Sequence, residues 1–200
     1  LKSVAADLDT RLARFKPVKM PYNAAALGRY KMARDFYQQG IESARQASSE
    51  INPEQLLQQA ATAGALLGVC DGKASAPVSP NVRAFCGDSA AAEAFVAQQS
   101  ANVPLNLIAG PGAYVRGLVL LRQNKSAEAA ALFQQMVDQR GANWGPAYPA
   151  AYVGLARAAA KSGDVARATK AYEEFFALWN GADPDVPLLV DARRERAALN

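Results

Sequence analysis

The chain contains no histidine among its 200 residues. That absence removes Ser-His-Asp and Cys-His nucleophilic sites, imidazole metal sites and imidazole acid–base chemistry together. Glycine-rich phosphate loops are also missing. Gly110-Pro111-Gly112 has no Gly-Lys-Ser/Thr after it and reads as a turn. No apolar run is long enough to cross a membrane, because Leu56 to Cys70 is short and is broken by Gln58, Gln59, Thr62 and Gly64. Cysteine is scarce, with only Cys70 and Cys86. Two thiols do not complete a metal site, and a separation of 16 positions is not a zinc-ligand spacing. Three readings of the pair stay open: buried thiols, a reactive pair, or a disulfide, which would require an oxidising compartment.

Charge of either sign is not concentrated. The net charge is +4. Arg11, Arg14, Lys16, Lys19, Arg29, Lys31 and Arg34 near the start, and Arg193, Arg194 and Arg196 near the end, are interleaved with acids. Such a pattern describes solvated helix faces and argues against a nucleic-acid partner, which needs a denser basic stripe with stacking aromatics. Nothing in the residues implies a cofactor. Asp183-Pro184-Asp185 lacks further oxygen ligands at calcium-loop spacing, and helix capping by Asp185 accounts for it without a metal.

What the chain does have is a core-forming composition and a repeat. Half of its residues are hydrophobic. Alanine is abundant, β-branched residues are few, and the class is all-α in one domain. Gly117, Ala129, Phe133 and Met136 recur as Ala156, Ala168, Tyr172 and Phe175, each 39 positions later (156 − 117, 175 − 136), around polar turns at Asn124-Lys125 and Gly163-Asp164. A small–turn–small–aromatic–large order is the mark of stacked helical hairpins. The small residues let two helices cross closely, and the aromatic fills the gap beside them.

The periodicity predicts further elements. An amphipathic helix runs from Val4 to Phe15, with Pro17 and Pro21 interrupting after it. Ala24 to Ala47 forms one long helix or two broken at Gly28, and Ala33 and Tyr37 echo Ala168 and Tyr172. Asn52 caps a helix with Pro53 in its first turn, running to Val69. Residues 71–80 are loop, 81–85 a single turn, and Asp88 or Ser89 caps a helix to Ser100. An extended linker over 102–112 leads to helices at 113–122, 126–139, 150–161 and 165–180, with a loop at 141–149. Asp185 caps a last helix over 186–199, which seals the open end of the stack. The chain starts at Leu1 without a signal-peptide pattern, so it is expected to be a piece of a longer protein.

The repeated positions resemble the tetratricopeptide repeat, although that family's period is about 34 residues. The resemblance implies an α–α superhelix with degenerate hairpins over 1–112, two clearer units over 113–180 and a capping helix over 185–199. A narrower resemblance is carried by Tyr114 to Leu121, Ala129 to Gln135, Asp138 to Gly141, Leu155 to Ala158, Ala168 to Phe176 and the Leu178-Trp-Asn-Gly-Ala-Asp-Pro-Asp-Val-Pro-Leu-Leu189 segment. This region is similar to the tetratricopeptide region at the C-terminus of bacterial, typically acidobacterial, Ser/Thr protein kinases. No kinase signature is present, so the resemblance implies a non-catalytic appendage. Some such kinases place a membrane span before the repeats. The compartment would then be cytoplasmic or, beyond such a span, extracytoplasmic, where a Cys70–Cys86 bridge would fit.

Three functions compete on these grounds: a protein- or peptide-binding module, an oligomerisation element forming a homodimer, and an enzyme. The missing histidine, cofactor loop and paired carboxylates disfavour the last. In the repeat family, first-helix side chains line the concave face. Tyr114 and Arg122, with Arg157 and Lys161 one unit on, are therefore the candidate groove residues. Two cations at equivalent positions suit an acidic peptide or a terminal carboxylate.

Overall fold

A computed structural model describes residues 20–46, 52–70, 80–102, 110–139 and 145–199. The Val4–Phe15 helix expected from the sequence lies outside the described residues. Among these residues ten helices follow one another: α1 Met20–Ala26, α2 Tyr30–Gln46, α3 Pro53–Leu66, α4 Pro80–Phe85, α5 Ser89–Asn102, α6 Gly110–Arg122, α7 Ser126–Asp138, α8 Ala147–Lys161, α9 Val165–Leu178 and α10 Pro187–Ala197. Among the described residues all regular structure is helical, and sequential helices pack against one another along most of the chain.

Four hairpins share one turn. Gly28, Gly87, Asn124 and Gly163 each have positive φ, at 71°, 96°, 59° and 78°. At each, the next residue's amide donates to the carbonyl five residues before it: Arg29 to Ala24, Asp88 to Arg83, Lys125 to Leu120 and Asp164 to Ala159. This is the αL closure that satisfies the last carbonyls of one helix before the next begins. Five residues after each left-handed residue stands a buried alanine: Ala33, Ala92, Ala129 and Ala168. Four residues further stand Tyr37, Val96, Phe133 and Tyr172, of which the three aromatics are buried. The α4–α5 hairpin is thus a fourth copy. Its sequence signal is weak because Val96 stands where the others carry an aromatic.

The close approach is tightest around Phe133, which is fully buried. A Cβ on Gly117 would lie 2.3 Å from the Phe133 ring, and one on Gly154 would lie 2.5 Å from it. Helix α7 therefore presses its ring between α6 and α8, and both must yield space. Gly117 is visible in the repeat. Gly154 is not, because its need for space comes from the preceding unit.

Several local readings need correction. Gly110-Pro111-Gly112 is the start of α6, not a turn, since proline is tolerated in a helix's first turn. Helix α8 likewise begins at Ala147 and takes Pro149 into its first turn. Ala24 to Ala47 resolves into two helices with the break at Gly28. Asp88, not Ser89, caps α5, its carboxylate accepting from the Ala91 amide at 2.9 Å. Asp185 does not cap α10. The cap position is Val186, which has no side-chain oxygen to offer.

Asp185 and its neighbours instead reach back to the first hairpin. The Lys31 ammonium lies 3.1 Å from Asp185, and its hydrogen bond holds that exposed carboxyl below the ordinary range. Asp183 accepts from the Lys31 amide at 2.8 Å, serving the N-terminus of a helix 152 residues earlier. The Trp179 indole donates to the Ala26 carbonyl at 3.0 Å, and the Leu188 amide donates to Leu67. Residues 179–188 therefore clasp α1–α3, and the two ends of the described array meet.

Candidate functional site

The four residues expected to share a groove separate into two environments. Tyr114 is a correction: it is 5% exposed and its ring packs on Phe133 at 5.8 Å, so it belongs to the core and not to a groove wall. Burial pushes its hydroxyl pKa up, with the nearby Arg157 charge opposing. The family expectation that first-helix side chains line a concave face placed it wrongly, because α6 packs against both α7 and α8.

Arg157 is also engaged from within. Its Nε and Nη2 donate to the two carboxylate oxygens of Glu195 at 2.8 and 2.9 Å. The Tyr172 hydroxyl donates to the same carboxylate at 2.7 Å. Burial pushes Glu195 upward, but the bond and charge of Arg157 together with the Tyr172 bond outweigh it and hold the carboxyl below its ordinary value. Tyr172 is raised by burial and by its bond to Glu195. The three groups join α8, α9 and α10 in a bidentate, charge-assisted network. Glu195 lies 39 positions after Ala156, as Ala156 does after Gly117 (195 − 156, 156 − 117). In that register helix α10 stands where a first helix would stand. At this position an acid stands in place of the small residue and reaches back to α8 and α9.

Arg122 and Lys161 are both exposed and lie on one edge of the array. The Lys161 ammonium donates to the Leu121 carbonyl at 3.1 Å, beside Arg122. A cation is favoured there, at the carbonyl end of α6. The pair thus presents adjacent positive charge where α6 and α8 end.

Cys70 and Cys86 are joined as a disulfide with Cα atoms 5.5 Å apart. The bridge ties the end of α3 to the turn between α4 and α5. No group of three or more metal-donor side chains occurs among the described residues. None of their helices is long and apolar enough to cross a membrane. Sequence reasoning missed Glu195, Asp183 and Gly154. The 39-residue register pointed to Glu195; only long-range packing marks the other two. No family model, curated protein or solved structure matches this chain.

Proposed function

We propose that the chain is a tetratricopeptide-like superhelix that serves as a non-catalytic protein–protein interaction domain, the C-terminal part of a bacterial Ser/Thr protein kinase. The observation that carries the reading is the common turn of the four hairpins, each followed at the same spacing by a buried alanine. Stacked hairpins of this kind present an extended surface for another protein. Arg122 and Lys161 form the contact that suits an acidic partner.

The test uses the immobilised chain and a lysate of the source organism. A partner recovered by wild type and lost by a normally folded Arg122→Glu/Lys161→Glu variant is the expected result. Identical recovery by both would remove this edge as the contact. The link to a kinase is tested by an antibody against this segment. A native chain near 21.2 kDa, with no larger species, would reject it.

A further inference from the structure

Between α2 and α3 lies an open cavity of about 160 Å³. Ala33, Tyr37 and Ile41 from α2 face Leu57, Ala60 and Ala63 from α3 across it. Ala60, Ala63 and Gly64 of α3 are small and leave that space open. Resting on the reading of this chain as a protein-binding array, we propose that this cavity receives one aromatic side chain of a partner peptide that carries a carboxylate beside that ring. Its volume is right for a single ring: an apolar protein cavity of about 150 Å³ holds benzene. The lining is mostly apolar, with Arg34 and Gln38 as its polar side chains beside the two tyrosines, so it suits a phenyl group that carries a polar neighbour. Arg34 is the charged residue of the lining and is exposed. Its contact with Asp35, at 3.3 Å between half-exposed neighbours, is a weak surface pair that an incoming carboxylate can replace.

The probe is the peptide acetyl-Gly-Phe-Asp-Gly-amide, titrated into the 200-residue chain by calorimetry and followed by NMR shifts of the tyrosines. Ala60→Leu fills the cavity from a half-buried position, with circular dichroism and the melting curve checking its fold. It is expected to weaken binding about tenfold or more, as is Phe→Ala in the peptide, since burying a phenyl side chain is worth that much. Arg34→Gln and Asp→Asn in the peptide are each expected to weaken it about threefold, with no further loss when combined. Equal affinity of wild type and a folded Ala60→Leu variant would overturn the pocket. So would a dimer in light scattering that Ala60→Leu dissolves, because the occupant would then be a second copy. If the peptide fails to bind while the Arg122/Lys161 variant still loses a lysate partner, the pocket falls and the array reading stands. If neither is seen, both fall.

Discussion

The two halves of the described chain solve the same stacking problem differently. From α6 to α10, first and second helices alternate without a gap, and each unit repeats its neighbour at 39 positions. Gly117, Ala129, Phe133 and Met136, and likewise Ala156, Ala168, Tyr172 and Phe175, are all buried. From α1 to α5 no such alternation is seen among the described residues. Helix α3 ends in the same kind of left-handed turn at Gly68, but no second helix directly follows among the described residues. There the joint is held by other means: the Cys70–Cys86 bridge and the clasp of residues 179–188. Regular repeats hold themselves through neighbour contacts, whereas an interrupted repeat needs cross-links from elsewhere.

The comparison would break most visibly with a charge inside a regular unit. Ala168→Asp places an unpaired carboxylate at a fully buried position and is expected to cost about 4 kcal/mol. A melting temperature equal to wild type would mean that the units do not pack in this register. Removing the bridge probes the irregular half. Cys70→Ser/Cys86→Ser opens a loop of 16 residues and is expected to cost about 3 kcal/mol. Hydrogen exchange should then rise in α3–α5 and stay unchanged in α6–α9. A uniform rise would erase the distinction between the halves.

The Glu195 network gives a smaller effect with a pH signature. Its folded pKa lies below the ordinary 4.5. The stabilisation is therefore complete above that value and is lost as pH falls through the lower, folded one. Glu195→Gln is expected to cost about 2 kcal/mol at pH 7. The gap from wild type should close as pH falls below the ordinary carboxyl value and through the lower, folded one. A constant gap across pH would show that the loss comes from packing and not charge. Smallest is the contrast within the clasp. Asp183→Ala removes the acceptor for the Lys31 amide and is expected to cost about 1 kcal/mol. Asp185→Ala, at an exposed ion pair, should leave the melting curve where it was. Equal losses from both would assign the clasp to charge in general.

The sequence by itself determined the helical class, the 39-residue register and the buried set around Phe133 and Tyr172. These follow from short-range physics: helix period, turn chemistry at Asn124 and Gly163, and the volume match between a small residue and an aromatic one. The same register reaches Glu195, but sequence reasoning passed over it because spacing names no partner for an acid. Only the tertiary structure decided that Tyr114 lies in the core, that Arg157 belongs to Glu195, and that Asp183 serves a helix 152 residues away. The physical reason is range. Periodicity tells which face of a helix is buried, but what covers that face depends on how successive hairpins turn, and in this chain that turning brings its last segment back onto its first helices.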